Sequence, residues 1–594
     1  MSTTDHLTPE RWAQANRLLI RKAIAEFTHE RLLTPVETET GRYVVTSDDG
    51  LTEYAFAAEL LQLNHWVVDA DSIIRTRAGE TLALDMLDFV IELRETLGLS
   101  ATVLPTYLEE ITSTLASTAY KLAGPRVSAA ELAGADFQAI ERGMTEGHPC
   151  FVANNGRIGF SIDEYRAYAP EAGAPVRLIW LAARRELATF SSCTDLDYET
   201  LLAEELGPET LARFRSTLAE RGLDLADFLL IPVHPWQWTN RLAVTFAGEL
   251  AKRNLVLLGE SADEYQAQQS IRTFFNTSAP HRRYVKTAMS VLNMGFLRGL
   301  SSEYMRDTPA INDWVATLFA GDEVLRRTGV SMLREQASIG YHHEQYLAAC
   351  AKGSPYLKML AALWRESPIP QLQPGERLAT MASLLHVDQD GASFAGALIT
   401  RSGLPANEWL RQYLDAYLVP LLQCYYGHDL VFMPHGENVI LVLDEAGAVR
   451  RVILKDIGEE VALMDTAVEL PPGVDRIQTD VPQELRVLSI FTDVVDCFFR
   501  FLSATLHTEG LLNQEEFFAT VAACIRDYQD SVPELADRFA ADDLFADEFA
   551  LSCLNRLQLR NNQHMLDLQD PAGALQLAGN LTNPIARFAP ARAY

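Results

Sequence analysis

The sequence predicts an α+β protein of several packed lobes, and three observations carry that prediction. At 594 residues the chain exceeds what one hydrophobic core organises, so two to four lobes are expected. Turn signals between strand-length apolar runs recur through its first two thirds. From about residue 405 onward the pattern is mainly helical, broken by one clear hairpin. Neither an internal repeat nor a low-complexity linker separates these parts, so tight packing is expected, with soft boundaries near 148 and 390.

Thr8-Pro9-Glu10 reads as an N-cap and first-turn proline, opening a helix to about Leu33, before Pro35. Tyr43 to Thr46 and Leu51 to Phe56 flank Ser47-Asp48-Asp49-Gly50, a hairpin signal. Trp66 to Ile74 reads as a further strand and Leu82 to Leu97 as an amphipathic helix. Between about 148 and 390 short strands (Val176 to Leu181, Leu229 to Val233, Asn254 to Leu258) alternate with helices.

Fifty basic residues against 80 acidic ones give a formal charge of -30, which favours solubility. The same balance argues against wrapping nucleic acid or coating an anionic membrane. The N-terminus, MSTTDHLTPERW, has no basic and apolar signal pattern, and no apolar run approaches the roughly 18 residues that span a bilayer. Seven dispersed cysteines without a CxxC pair read as reduced thiols of a cytoplasmic protein.

An acidic protein that binds an anion must concentrate its cations. Between Gln268 and Arg306 lie Arg272, Arg282, Arg283, Lys286, Arg298 and Arg306, with Glu303 the only acid. Guanidinium groups so clustered repel one another unless an anion or buried acids balance them. Either the island is a polyphosphate or carboxylate pocket, with Ser270 and Thr273 as hydroxyl donors, or it pairs with acids of other lobes. Adjacent Arg282 and Arg283, beside His281, read as a solvated loop.

A second polar group gathers at the C-terminal hairpin. His435-Gly436-Glu437-Asn438 leads into the strand Val439 to Leu443. After the turn Asp444 to Gly447, the return strand Val449 to Leu454 ends at Lys455-Asp456. Antiparallel pairing sets residue numbers summing to roughly 892 opposite each other, which brings Asn438 near Leu454. His435, Glu437, Asn438, Lys455 and Asp456 then meet at one end. Hard oxygen ligands such as Asn438 and Asp456 suit Mg²⁺ on nucleotide phosphates, the arrangement protein kinases use. The opposing reading is a hairpin whose polar end is merely exposed. There is no P-loop and no dinucleotide fingerprint. His342-His343 reads as a surface pair.

Gly147-His148-Pro149, His234-Pro235-Trp236-Gln237, Ser270-Ile271-Arg272-Thr273, Lys286-Thr287, His435-Gly436-Glu437-Asn438 and Lys455-Asp456, in this order, resemble the siderophore synthetases that work independently of nonribosomal peptide synthetases. This is the aerobactin-synthetase-like family. The wording of the whole chain, including RWAQANRLLIRKAIAEFTHERLLTP, is most similar to its desferrioxamine synthetases. The resemblance implies a three-part cradle of thumb (1–147), fingers (148–390) and palm (391–594), the palm with a kinase-like hairpin and a mostly helical C-terminus, usually in a homodimer. It implies that ATP and a carboxylate give an acyl-adenylate, which a primary amine converts to an amide. Ser270, Arg272, Thr273, Lys286, His435, Asn438 and Asp456 would hold ATP and Mg²⁺, with Glu437 either a further metal ligand or a turn cap. Arg298, Arg306 and Glu303 would face the carboxylate substrate or adenylate. The implied substrate is N-hydroxy-N-succinylcadaverine, joined repeatedly and closed to a desferrioxamine.

Two departures from that pattern stand out. In the family's GHPxHPxxKxRxG loop Phe151-Val152 replaces the second His-Pro and Asn155 stands where its lysine would be, and the family's common HGQN is HGEN here, with Glu437 in the third place. The His234-Pro235-Trp236-Gln237-Trp238 segment also reads as an aromatic turn packing two lobes. Adenylation builds negative charge at the α-phosphate, for which Arg272, Lys286 and His435 are the natural donors. The competing functions are a kinase-like phosphotransferase, which releases ADP, and a siderophore-binding protein without catalysis.

Overall fold

The computed structural model describes residues 4–144, 147–561 and 576–589 and is a mixed α+β structure. The first helix runs Pro9–His29, the Thr8 hydroxyl accepting from the Arg11 amide at 3.3 Å. It stops short of Leu33 because Arg31 turns to φ 57°. The first sheet holds β1 (Val36–Glu39), β2 (Arg42–Thr46), β3 (Thr52–Leu61), β4 (His65–Val68), β5 (Ile74–Arg77) and β6 (Glu80–Leu82), with β3 at its centre. The expected strand over 66–74 is two strands, because Asp69 caps an intervening turn and accepts from the Asp71 amide. The expected helix over 82–97 contracts to Met86–Glu92: Leu82 belongs to β6, and the Asp85 carboxylate caps the later start.

The central lobe carries β7 (Ile179–Arg184), β8 (Ala188–Ser192), β9 (Phe228–Val233), β10 (Leu255–Glu260), β11 (Tyr265–Ala267), β12 (Thr273–Asn276) and β13 (Tyr284–Thr287). A small hairpin, β14 (Leu292–Asn293) and β15 (Phe296–Leu297), follows. After β16 (Ser331–Met332) come β17 (Glu335–Tyr341), β18 (Ala361–Arg365) and β19 (Arg377–Thr380). The main sheet has the order β11-β12-β13-β18-β17-β8, and β10-β7-β9 forms a second. Trp180, Phe214 and Trp364 fill the core between them.

The C-terminal part is built on the helices Phe394–Ser402, Ala406–Leu422, Arg500–Thr508 and Gln514–Ser531. After the short β20 (Leu430–Val431), the hairpin β21 (Val439–Leu443) and β22 (Val449–Leu454) packs on the core of Trp409, Tyr413, Tyr417 and Phe498. A further pair, Glu548–Ser552 with Leu577–Thr582, adds to the one hairpin expected there. All seven cysteines are free.

The parts are locked together by buried charge. Arg500, 1% exposed, bonds the Glu26 carboxylate of the first helix at 2.8 and 3.1 Å and Asp496 at 3.0 Å. His29 reaches Asp496 at 3.1 Å. A buried pair that lost one partner would strand the other charge, so this node penalises separation strongly.

Candidate functional site

The site forms where the main sheet meets the tip of the β21–β22 hairpin. Thr273 pairs with Lys286 across β12 and β13, and Lys286 pairs with Leu363 of β18. Arg365 lies two residues beyond Leu363 and so shares Lys286's face of the sheet. Glu335 on β17 lies opposite Arg365 and bonds it at 3.0 Å. One face of the sheet thus carries two cations and an acid, beside Thr273 and Ser338.

From the other side comes the hairpin end. Val439 pairs with Leu454, a sum of 893, one residue off the expected register, because a bulge at Val442/Leu443 absorbs a residue. Asn438 therefore sits beside Lys455, whose amide donates to the Asn438 carbonyl at 3.0 Å. Asp456 then turns the chain at φ 62° and opens the helical turn Ile457–Glu460. Gly458 in that turn donates to Glu335 at 2.9 Å. A Cβ on Gly458 would meet Thr308 Cγ2 at 2.3 Å, so only glycine fits.

The two groups meet directly. Lys286 Nζ bonds Asp456 Oδ1 at 2.7 Å and also bonds Glu459, while Arg365 bonds Asp456. Burial opposes the Lys286 charge, but Asp456 and Glu459 hold its pKa above the ordinary lysine range. Burial likewise disfavours the Asp456 carboxylate, yet Arg365, Lys286 and Lys455 keep it well below the usual range. Burial and the neighbouring Asp456 push the Glu460 pKa well up.

The remaining cations are less satisfied. Arg272 donates to the Gly299 carbonyl at 2.5 Å and lies 3.8 Å from Glu459, but its Nε is buried without a partner. Arg298 has the same orphaned Nε, and burial with the repulsion of Arg272 brings its pKa to about 10. Two adjoining guanidinium groups with unmet buried donors call for an oxyanion. Ile271, fully buried at φ 60°, is a β-branched residue held left-handed between Ser270 and Arg272. Such strain persists where surrounding structure fixes it, commonly at working sites. The Ser270 and Thr273 hydroxyls bond each other at 2.9 Å.

His435 is a neutral donor rather than a cation: burial outweighs Asp456 and lowers its pKa to about 4. Its Nδ1 accepts from the Glu437 amide at 3.3 Å, which assigns the proton to Nε2. The His148 ring faces it edge-on at 5.9 Å. Asn438 and Asp456, with Glu460 and Lys455, line a cavity of about 10 Å³, the room of one water-sized guest. Glu437 does not line it. Burial and then Glu141 raise the Glu437 pKa to about 7, with Lys455 and Arg298 acting on it from the other side.

Other predicted residues lie elsewhere. Glu303 and Arg306 are exposed, and Arg306 pairs with its neighbour Asp307 at 3.1 Å. Arg282 and Arg283 are not a solvated loop: Arg282 bonds Asp263 at 2.5 Å and Arg283 bonds Glu204 and Glu205 at 2.7 and 3.1 Å. Arg157 of the GHP loop is committed to buried Glu171 at 2.5 Å, which withdraws it from any phosphate. His234 is fully buried against Tyr168 and Phe274, and Trp236 donates to the Gly159 carbonyl, an aromatic packing turn. His342 and His343 are half-buried, His342 bonding Thr189 at 2.7 Å and His343 packing on Phe246.

Comparison with known proteins shows the family of the chain. Residues 136–386 match the IucA / IucC family. The chain is 49% identical to putrebactin synthase of Shewanella sp. over 99% of its length and 94% of that protein. It is 31% identical to aerobactin synthase of Escherichia coli, over 92% of this chain and 94% of the relative. The chain belongs to the IucA / IucC family of siderophore synthetases.

Aerobactin synthetase IucC from Klebsiella pneumoniae superposes on this IucA / IucC family chain with a TM-score of 0.84 at 28% identity, covering 97% of this chain and 99% of that one. The petrobactin biosynthesis protein AsbB from Bacillus anthracis gives 0.83 at 24% identity, over 98% and 97%, a likeness of fold. Residues 407–567 also match a family described as ferric iron reductase FhuF-like transporter. Among the described residues no helix is long and apolar enough to cross a membrane.

Sequence reasoning missed Glu335, Arg365, Glu459 and Glu460 at this site. The signal for Glu459 and Glu460 is spacing, since three and four residues beyond Asp456 in a helical turn share its side. For Arg365 it is a lone charge closing the buried run Ala361 to Arg365.

Proposed function

We propose that the chain is an ATP-dependent acid–amine ligase of siderophore biosynthesis. It adenylates the succinyl carboxylate of a hydroxamate and passes the acyl group to a primary amine. The observation that carries this is the meeting of Arg272, Arg298 and Lys286 with the hairpin tip, where two buried guanidinium Nε donors lack partners. Lys286 touches Asp456 directly, so the triphosphate would lie along Arg272, Arg298, Lys455 and His435 rather than between those two.

Asn438 and Asp456 would hold Mg²⁺, which supplies charge neutralisation for the phosphates. Arg272 and the His435 Nε2–H would donate to the α-phosphate oxygens as the substrate carboxylate attacks and pyrophosphate leaves. Arg298, beside Arg272, orients the carboxylate. The amine then attacks the acyl carbon, AMP departs and the amine gives up its proton. A solved relative is named as ATP-bound aerobactin synthetase, which supports the nucleotide assignment through a shared fold.

The finer reading is that N-hydroxy-N-succinylcadaverine is oligomerised and closed to a desferrioxamine, in a cytoplasmic homodimer. The relative named putrebactin synthase supports the siderophore class and supplies a second product to test. Incubation with ATP, Mg²⁺ and N-hydroxy-N-succinyl diamines, read by mass spectrometry, should give AMP, pyrophosphate and amide-linked oligomers. ADP as the nucleotide product would make the chain a phosphotransferase instead.

A further inference from the structure

Away from the hairpin tip, another cavity of about 630 Å³ opens between the end of the first helix, the β3–β4 connection and the C-terminal strand Leu577–Thr582. Sites for small molecules occupy roughly 300–1,000 Å³. Leu33, Leu61, Leu63 and Trp66 give it an apolar wall, and Thr28 and Asn580 stand among its polar groups. Trp66 is braced edge-on by Tyr43 and donates to Asn64 at 3.3 Å. Thr28, 5% exposed, keeps a buried hydroxyl without a partner.

The backbone of this wall is strained. Arg31, Leu63 and Asn64 all line the cavity and all stand left-handed, at φ 57°, 59° and 52°. For a side chain as bulky as Leu63 that conformation is an outlier. Surrounding bonds impose it: the Gln62 amide donates to Gln514 at 2.7 Å, and the Asn64 side chain donates to the His29 carbonyl at 3.3 Å. Strain of this kind gathers where a fold grips a ligand.

Charge selects the guest. Among the described residues lining the cavity Arg31 is the only charged one, in a chain of net charge -30. Its guanidinium donates to the Asn580 carbonyl at 2.5 Å, which holds it at the rim with most of its five donors left over. Neighbouring acids are committed elsewhere. Glu30 accepts from the Asn555 and Arg556 amides at 2.7 and 2.9 Å, and Glu548 accepts from the Asn580 side chain at 3.0 Å. A guanidinium above apolar and amide-bearing walls suits a carboxylate on an alkyl or amide chain, and the lack of an acid in the wall disfavours an ammonium.

We infer that this cavity binds a small amphipathic monocarboxylate, its carboxylate on Arg31 and its chain along Leu63 and Trp66. A fatty acid and an amide-linked acid share that chemistry. None of the residues assigned to adenylation lines the cavity, so the site stands apart from the ligase reading.

Calorimetric titration of the full-length protein with decanoate and with N-hexylsuccinamate tests this, with hexylamine as the cationic control. At least one acid should bind, and the amine should not. Arg31→Gln removes the charge and should weaken that acid about tenfold, the lower end for a charged hydrogen bond. Thr34→Trp, at an exposed position of the lining, places an indole in the cavity and should weaken it at least as much while the melting curve stays that of wild type. A tighter decanoate assigns a fatty acid as the guest, and a tighter succinamate an amide-linked acid. Binding of neither acid by the wild type overturns the inference, as does acid binding that survives both substitutions or hexylamine binding as tight as the acids. A wild-type dimer that Thr34→Trp dissociates also overturns it, making the cavity a seam between two copies.

Discussion

Lys286→Met is the most searching perturbation, because Lys286 belongs to both the fold and the chemistry. The side chain is 5% exposed and faces Asp456 and Glu459, which are 19% and 26% exposed. Breaking a fully buried pair costs about 3–5 kcal/mol. Here Asp456 keeps Arg365, Glu459 keeps Arg272 at 3.8 Å, and water reaches both carboxylates, so about 1–3 kcal/mol is expected. Methionine fills the volume, so the loss is electrostatic.

The pH dependence checks that account. Asp456 and Glu459 have depressed pKa values in the fold, so their stabilising contribution is present above the ordinary carboxylate range and disappears as pH falls through the folded values. The gap between wild type and variant in denaturant midpoint should be full at neutral pH and narrow below about pH 4. ATP–pyrophosphate exchange should fall about 10²- to 10³-fold under conditions where the variant is folded. An exchange rate within about threefold of wild type, less than 1 kcal/mol of barrier, would refute the assignment of Lys286 to the chemistry.

Asp456→Asn should raise the magnesium concentration for half-maximal exchange at least about tenfold, and an unchanged magnesium titration would remove Asp456 from the metal site. Gly458→Ala should lose both stability and exchange, since its Cβ would strike Thr308 and the Glu335 carboxylate; a wild-type melting curve would show that the turn yields. His234, fully buried with its pKa lowered by burial to about 3, stays neutral while the unfolded chain takes up a proton. Its share of stability is present above about pH 6.5 and is lost as pH falls toward 3, so His234→Asn should flatten the acid limb of stability between those values.

What could be read from the sequence was local or carried by short-range pattern. The Thr8 cap, the hairpin over Tyr43 to Phe56 and the β21–β22 ribbon all follow from turn chemistry and alternation within a dozen residues. Even the ribbon's register slipped by one, because nothing in Val439 to Leu454 marks the bulge at Leu443. The meeting of Lys286 with Asp456 spans 170 positions, and charge clustering suggested it without fixing it. Glu335 was invisible because it is a single charge in an unremarkable strand, and Arg365 left only a lone charge closing a buried run. What they do is set by strand pairing. Arg306 and Glu303 show the converse: proximity in sequence to Arg298 did not carry them into the cleft, because the short helix Ser302–Met305 turns them outward.

The Arg500–Glu26 node joins residues 474 positions apart. During synthesis the first helix emerges long before the helix that completes its charge pairing, so Glu26 must wait on the ribosome with water as its only solvent. A nascent chain halted before Arg500 would carry that helix unanchored. The first helix therefore completes this charge pairing only after the helix that carries Arg500 has been made.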